Sequence, residues 1–329
     1  MNKGFLVGIG AGLVSFVALL SATTGVPLLQ FTLFLIAPLP LYLAGLAFSW
    51  PAAGIGAVTA AIGITLIAGP LVGFLAAASQ FGPPVVLTYL ALLNREVNNS
   101  DGSKSATEWY PIGRLILWSA VLGTLLSVGF LMMLGKDAAE VQETLTNVLR
   151  EAFTQFRAQS PDATPIPEAD LEAMTKVALA FIPAASGMLM TSILLINLYI
   201  AARVIEASSL LTRPWPDLAA FTYPPGTPLV LTASLVLTLL LSGFPGMAAG
   251  AAAGAFYFAY VLLGLAVIHF ITRSNPGRFA ILWAAYFGLV IFNTIVSLVL
   301  AVIGLTEPFS PLRRDSSKPP PASPPPGPD

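Results

Sequence analysis

The chain has 329 residues, of which 56% are hydrophobic and only 9% charged, and its formal net charge at pH 7 is −1. Soluble domains carry roughly 25% charged residues, so this composition indicates a membrane protein. A nearly neutral chain lacks the basic surface that nucleic acid requires. With no cysteine and a single histidine, the chain is expected to hold no disulfide, no metal and no cofactor.

The first long segment, residues 4–94, contains no Lys, Arg, Asp, Glu or His. A helix rises about 1.5 Å per residue and a bilayer core is about 30 Å thick, so this segment is long enough for four crossings. Its expected breaks lie near residues 24–27, 50–51 and 69–70, where proline and glycine favour turns. Long apolar runs favour helices over barrel strands, so the sequence predicts a polytopic α-helical membrane protein.

Charged residues divide the rest of the chain into four further apolar runs, at residues 115–135, 177–202, 218–271 and 279–306. The third run is free of charge apart from its histidine. The first, second and fourth runs each fit one crossing, and the third fits two with a break at residues 243–246. The expected fold is therefore an all-α transmembrane bundle of about nine spans, with eight as the alternative.

Two segments differ from the apolar runs. Residues 137–175 form an acidic insert within a transmembrane domain that covers residues 1–306. Apolar residues recur there at helical spacing and predict an amphipathic helix outside the membrane: Val141, Leu145, Val148, Ala152 and Phe156. We favour an interface anchor or a cap on the bundle over a lid or a partner-docking helix. Residues 307–329 form a proline-rich tail, expected to be disordered, with a docking motif as the alternative.

Basic residues predict the orientation, because cytoplasmic loops are enriched in Lys and Arg. With four crossings in the opening segment, one side receives most of them: Lys3, Arg95, Lys104, Arg114, Arg203, Arg213, Arg273 and Arg278. We take that side as cytoplasmic and place the N-terminus on it. A count of about nine spans puts Arg313, Arg314 and Lys318 outside. Either the tail breaks the rule or one segment is re-entrant.

Polar side chains within the predicted spans are few, and they are candidates for lining a solute site: Gln80, Asn197, Asn293 and His269. Each costs free energy in hydrocarbon unless it faces protein or water. Gln80 lies just before Pro83 and Pro84, and such broken helices free backbone groups that bind solutes. The simpler interpretations are a kink for packing, since proline is common in membrane helices, and an interfacial hydrogen bond for His269.

Two predicted helices carry glycine at every fourth position: Gly4, Gly8 and Gly12 in the first, and Gly246, Gly250 and Gly254 in the predicted eighth. Small residues at this spacing let helices approach closely in lipid. Packing within the bundle is the favoured interpretation. Docking of another membrane protein, or of a second copy, is the alternative.

Two short segments are expected to anchor the chain at the cytoplasmic interface, through Trp109, Tyr110, Arg114, Arg213 and Trp215. Aromatic rings favour the headgroup level, and arginine extends along apolar surface to reach water. The proline that follows Tyr110 suits the first turn of a helix.

Signatures of catalysis and of energy coupling are missing from the sequence. No predicted span carries a deep Asp or Glu, which disfavours ion-coupled transport and acid–base catalysis. No Gly-rich loop ends in Lys followed by Ser or Thr, as a phosphate-binding loop does. We therefore expect a protein that is not an enzyme and does not use ATP itself.

Four segments carry a family resemblance: residues 37–41 (APLPL), 109–114 (WYPIGR), 197–203 (NLYIAAR) and 213–218 (RPWPDL). Together with the glycine-rich first helix, they resemble the YybS-like family of bacterial integral membrane proteins, a domain of unknown function (2232). The resemblance covers the chain up to about Arg314 and implies a multi-pass protein of the bacterial cytoplasmic membrane.

That family is distantly similar to the substrate-binding S components of energy-coupling-factor transporters. This chain departs from them by extra helices and by the acidic insert. The resemblance implies a solute-binding or transport-associated subunit in the lipid bilayer, working with another membrane protein. The alternative is a non-enzymatic scaffold or assembly factor of the cell envelope.

Overall fold

The computed structural model describes residues 3–97, 106–159 and 167–309, together with Arg313. Most of the proline-rich tail lies outside these residues. The chain divides into two compact units. The first is made of Met1–Pro216 and Gly226–Phe258, and the second of Asp217–Pro225 and Ala259–Asp329.

Almost all regular structure in the described ranges is helical. The helices of the first unit are α1 Lys3–Ser21, α2 Pro27–Ile36, α3 Leu39–Ala47, α4 Trp50–Ala68, α5 Pro70–Ala76, α6 Gly82–Leu92, α7 Ile112–Leu134, α8 Ala138–Gln159, α9 Glu168–Ala207 and α10 Thr227–Leu240. Helix α11, Gly243–Ile271, contributes its first part to the first unit and its last part to the second. The second unit also holds α12 Arg278–Ile291 and α13 Asn293–Thr306.

Seven helical segments in the described part of the chain are long and apolar enough to cross a membrane. Four of them come from the uncharged opening segment, as predicted: Lys3–Ser21, Pro27–Ala47, Trp50–Ala68 and Pro70–Leu92. The others are Ile112–Leu134, Glu172–Ala207 and Gly243–Ile271. The polytopic helical membrane fold is confirmed. The number of long apolar helices in the described residues is seven and not about nine. The shorter apolar helices α10, α12 and α13 have only 14 residues each.

Proline and glycine set the ends of many helices. Proline occupies the first or second position of α2, α3, α4, α5, α6 and α10. Its missing N–H is not needed at that position, and its fixed φ suits the first turn. Gly69, with a φ of 91°, turns the chain between α4 and α5, in a conformation that glycine adopts without strain.

Helix α1 packs directly on α4 through its glycines. A Cβ atom at Gly8 would lie 2.6 Å from the carbonyl oxygen of Ala52, and one at Gly12 would overlap the carbonyl oxygen of Gly56. The two backbones therefore touch, as small residues allow in lipid. Gly4 is half-buried at the start of α1.

The second glycine stripe also faces helices of the same chain. A Cβ atom at Gly254 would overlap the backbone of Ala184 in α9, and one at Gly250 would lie 3.3 Å from Cβ of Pro183. Gly246 faces the carbonyl of Leu241, just before its own helix. The close approach between α9 and α11 depends on Gly250 and Gly254.

Helix α8 is the amphipathic helix predicted in the acidic insert. Val141 and Leu145 are buried against Leu131 of α7, so the beginning of the apolar face packs on the first unit. Val148 and Phe156, further along that face, are exposed. The acidic insert is thus attached to the bundle by its first turns.

A short antiparallel ribbon, absent from the sequence prediction, separates α6 from α7. Strand β1, Asn94–Val97, pairs with β2, Ala106–Trp109. Arg95 lies opposite Glu108, and their side chains form an ion pair of 2.6 Å. Four-residue strands carry too little alternation to be recognised from sequence.

The last apolar run differs from its prediction. The sequence predicts one crossing at residues 279–306, but the structure has two helices, α12 and α13, which meet at Phe292. Phe292 has φ −114° and ψ 44°, outside the helical region. The prediction of a single helix is wrong because the apolar pattern continues through the break without any proline to mark it.

Candidate solute site

The fourth candidate span is interrupted by a π-helical turn, Ala77–Phe81, between α5 and α6. The N–H of Gly82 donates to the carbonyl of Ala77, five residues back instead of four. Pro83 and Pro84 follow, both buried, and have no N–H to donate. In a regular α-helix those N–H groups would bond the carbonyls of residues 79 and 80. The span therefore has backbone acceptors without their usual donors, in a type of turn that is frequent at functional sites.

Gln80 lies in this turn and is nine-tenths buried, with 9% of its surface exposed. No hydrogen bond joins its side chain to another residue in the described part of the chain. A side-chain amide has two donor hydrogens and an acceptor oxygen, and burying such groups unpaired costs about 1–3 kcal/mol. The arrangement leaves a neutral polar group available to a solute that both donates and accepts hydrogen bonds.

The residues on either side of Gln80 are either packed in the core or hydrogen-bonded. Phe81 is fully buried in a core cluster with Leu41 of α3 and Ile64 of α4. The hydroxyl of Ser79 is exposed and donates to the carbonyl of Leu75 at 2.7 Å. The turn is thus packed against α3 and α4, and within it the polar side chain of Gln80 lacks a partner among the described residues.

Asn197 of α9 is 3% exposed and bridges two helices. Its Nδ2 donates to the carbonyl oxygens of Leu35 and Ile193, both at 2.9 Å. Leu35 stands near the end of α2, before the break at Pro38, so this amide supports the α2–α3 break from α9. Its Oδ1 and the buried hydroxyl of Tyr42 have no partner among the described residues.

His269 and Asn293 belong to the second unit, whereas Gln80 and Asn197 belong to the first. His269 Nε2 lies 2.8 Å from the hydroxyl oxygen of Tyr286 in α12. Asn293 is exposed at the start of α13. The structure therefore does not gather the four predicted residues into one hydrogen-bonded cluster in the part of the chain that it describes.

An open cleft of about 520 Å³ lies elsewhere in the first unit, between the start of α1 and the link from α3 to α4. Lys3, Phe5, Phe48 and Ser49 are among its lining residues. These residues stand at helix ends. The cleft therefore differs from the π-helical turn, which lies within a span.

A comparison with protein families covers most of the helical region. The model of a family described as predicted membrane protein (DUF2232) matches residues 14–307. The chain belongs to the DUF2232 family. The YybS-like resemblance read from the sequence is confirmed by this match. No curated protein and no solved structure matches the chain.

In this DUF2232 protein, sequence reasoning missed a cluster of charged and aromatic side chains in the second unit. We call it the Phe270 cluster, and it consists of Asp217, Phe221, Phe270, Arg273, Glu307 and Arg313. Arg273, just after α11, donates a hydrogen bond to Asp217, and its guanidinium lies 4.8 Å from the centre of the Phe270 ring. The hydrogen bond from Arg273 holds the pKa of the Asp217 carboxyl below its ordinary value.

Arg313 completes the Phe270 cluster from the C-terminal side. It donates to the carbonyl oxygen of Phe221 at 2.8 Å and lies 3.5 Å from the carboxylate of Glu307. Its guanidinium is 5.7 Å from the centre of the Phe270 ring. Arg313 and Phe221 are 92 residues apart in the sequence, so no local sequence pattern could have revealed their contact.

Three of the predicted interface residues lie around the ribbon. Trp109 ends β2, and the Tyr110 hydroxyl accepts a hydrogen bond from Nε1 of Trp118 at 3.0 Å. Arg114 is exposed in the first turn of α7. The ribbon and the start of α7 are thereby connected by an aromatic pair.

The other two interface residues join the ends of α6 and α9. Arg213 donates to the carbonyl oxygen of Ala91, in the last turn of α6, at 3.1 Å. Trp215 meets Tyr199 edge to face, with ring centres 6.0 Å apart. The guanidinium of Arg203 lies 4.8 Å from the Trp215 ring centre, a cation–π contact that sequence reasoning did not find.

Proposed function

We propose that this DUF2232 protein binds a small, largely uncharged solute at the π-helical turn Ala77–Phe81, within its fourth candidate span. The observation that carries the proposal is Gln80, a residue nine-tenths buried whose side-chain amide has no hydrogen-bond partner among the described residues, in a turn followed by two prolines. A polar group inside a membrane span is costly, and its default explanation is a functional one.

The chemistry of the turn favours a neutral solute. No charged side chain occurs from residue 4 to residue 94, so nothing local in sequence compensates a charge brought to this depth. Gln80 offers a donor and an acceptor, and the carbonyls that Pro83 and Pro84 leave without donors offer acceptors. The fitting solute therefore carries O–H or N–H groups together with at least one acceptor.

The energy for moving such a solute comes, in this proposal, from a partner protein. The sequence has no ATP-binding loop and no Asp or Glu deep within a span. A transport-associated subunit that works with a partner protein agrees with these two features. The distant similarity to S components stays a prediction.

The proposed location is the bacterial cytoplasmic membrane, with the N-terminus in the cytoplasm. Arg95, Arg114, Arg213 and Arg273 fall on the N-terminal side when each long helix, and α10 as well, crosses once. Cytoplasmic loops carry the excess of Lys and Arg.

Thermal unfolding in detergent tests the proposed site. Purified protein is screened against vitamins and small polar metabolites, and we expect at least one of them to raise the unfolding midpoint. The same compound should leave the midpoint of Gln80→Leu unchanged and still raise that of Ser79→Ala. The proposal fails if no compound raises the midpoint, or if Gln80→Leu responds as the unmodified protein does.

A membrane scaffold or assembly factor is the second candidate, and the exposed apolar residues Val148 and Phe156 of α8 favour it. The glycine stripes of α1 and α11 do not, because Gly8, Gly12, Gly250 and Gly254 face helices of the same chain. Crosslinking of the protein in membranes separates the two candidates. A stable partner lost in the double variant Val148→Ser, Phe156→Ser would support the scaffold.

A further inference from the structure

The last two helices, like α10, are shorter than a usual bilayer crossing, so their contacts decide their path. Helices α12 and α13 have 14 residues each, which is about 21 Å of helix. The hydrocarbon core is about 30 Å thick. If α13 continues in the direction of α12, the two helices together cross the bilayer. If α13 folds back along α12, they do not.

The contacts at Phe292 show that the pair folds back. A Cβ atom at Gly288 would lie 3.0 Å from Cγ2 and 3.8 Å from Cβ of Val296. In a straight helix, residues eight apart are separated by about 12 Å along the axis. Glycine at position 288 leaves room for the two arms to meet beside the bend.

Both arms also lie along the last part of α11. Tyr286 of α12 bonds His269 through its hydroxyl, at 2.8 Å. On the other arm, a Cβ atom at Gly264 of α11 would overlap the carbonyl oxygen of Leu300 in α13. Helix α12 therefore leaves the end of α11 and runs back along it, and α13 returns beside it.

The end of the second arm returns to the end of α11. Arg313 donates to the carbonyl of Phe221 at 2.8 Å and lies 5.7 Å from the Phe270 ring centre. Asp217 binds Arg273 at the same end of α11. The chain thus arrives, after α13, at the place from which it departed before α12.

We propose that α12 and α13 form a re-entrant hairpin, which enters and leaves the membrane on the side of Arg273. Helix α10 is counted as a crossing because it leads from the end of α9 to the start of α11, where Phe244 and Met247 pack on the same cluster as Leu179 and Ile182 of the first part of α9. The seven long candidate spans together with α10 then make eight crossings, and both ends of the chain lie on one side. Arg313 falls on the same side as Arg273 and Arg278, and it is followed in the sequence by Arg314 and Lys318, which lie outside the described residues. The conflict with the positive-inside rule that a ninth crossing creates disappears.

Disulfide trapping tests the bend, because the chain has no cysteine of its own. In the double variant Gly288→Cys, Val296→Cys, the expected Cβ separation matches that of a disulfide, about 3.8 Å. Copper phenanthroline should therefore oxidise most of the protein in membranes, seen as loss of maleimide–polyethylene glycol labelling after denaturation. The control pair Val121→Cys, Gly129→Cys has the same spacing within α7 and should stay reduced. Equal labelling of both pairs overturns the hairpin.

Labelling from outside the cell tests the side of the C-terminus. Ser242 and Ser274 are exposed at opposite ends of α11, and single Ser→Cys variants at these positions serve as references. A membrane-impermeant maleimide should label Ser316→Cys as it labels Ser274→Cys, and differently from Ser242→Cys. Labelling that follows Ser242→Cys instead means that the pair crosses the membrane, and the proposal is wrong. Fluorescence of green fluorescent protein fused after Asp329 gives a second measurement, positive when the C-terminus is cytoplasmic.

Discussion

Two apolar runs of this protein are interrupted by a break in the helix, and the chain keeps its direction after one break but folds back after the other. At Pro83–Pro84 the chain continues in its direction, because α4 lies beside both halves. Gly73 of α5 faces Thr65, and Gly54 of α4 faces Val85 of α6. At Phe292 no proline is present, yet the chain folds back on itself.

Proline marks where hydrogen bonds are lost, whereas the surrounding helices decide the direction in which the chain continues. A broken span remains in line when a neighbouring helix packs along its whole length. At the second break, α11 contacts the two helices separately, α12 at His269 and α13 at Gly264. Residues at the bend, such as Asn293 and Ile295, are exposed.

The largest effect is expected from separating α13 from α11. In Gly264→Ala the new methyl group meets the carbonyl oxygen of Leu300, so one of the two backbones has to move. We expect a loss of about 3 kcal/mol, the upper end of the usual cost of overpacking. The measurement is the thermal unfolding midpoint in detergent.

Gly129→Ala on α7 is the matched control for that substitution. A Cβ atom at Gly129 has nothing within 4 Å, and alanine favours the helix by up to about 1 kcal/mol. If Gly264→Ala were as stable as this control, α13 would not pack on α11 as closely as described.

The next effect concerns Asn197, which supports the break between α2 and α3. Asn197→Leu leaves the carbonyl of Leu35 without its 2.9 Å partner. Burying an unpaired acceptor costs about 1–3 kcal/mol, so the unfolding midpoint should fall. An unchanged midpoint would mean that α9 does not hold this break.

Gln80→Leu should raise the stability of the protein instead of lowering it when no solute is present. The substitution replaces an amide that has no partner among the described residues with an apolar group of similar size. We expect a gain of about 1 kcal/mol, since the cost of an unpaired polar group is removed. Functional sites often reduce stability in this way. A drop in the midpoint would show that Gln80 is held by bonds absent from the described contacts.

The smallest effect is expected from Asp217, which is exposed and paired with Arg273. The pKa of Asp217 is lowered in the folded protein, so the pair stabilises the fold above the unfolded-state pKa of about 3.9. That contribution is lost as the pH falls through the lowered pKa. The small difference between the native protein and Asp217→Asn should persist at neutral pH, shrink below about pH 4, and weaken with salt.

A difference between the two proteins that persists at pH 3 would assign the effect to something other than the carboxylate. The unfolding midpoint, measured across pH 3 to 8 at low and high salt, distinguishes these outcomes.

The sequence by itself determined the membrane class, the four opening spans, the amphipathic α8 and the break before Pro83. Each of these depends on local properties, such as hydropathy, helical spacing or the missing N–H of proline. The same local chemistry pointed to Gln80 as a candidate for binding a solute.

The tertiary structure alone decided the fold-back at Phe292, the ribbon at Arg95, the bridge from Asn197 to Leu35 and the Phe270 cluster. Each of these joins residues that are distant in sequence, and the pairing depends on which helix faces meet. Hydropathy is the same on either side of Phe292, so it carries no information about direction. Contacts with α11 supply that information, because a short helix in lipid is placed by the helices against which it packs.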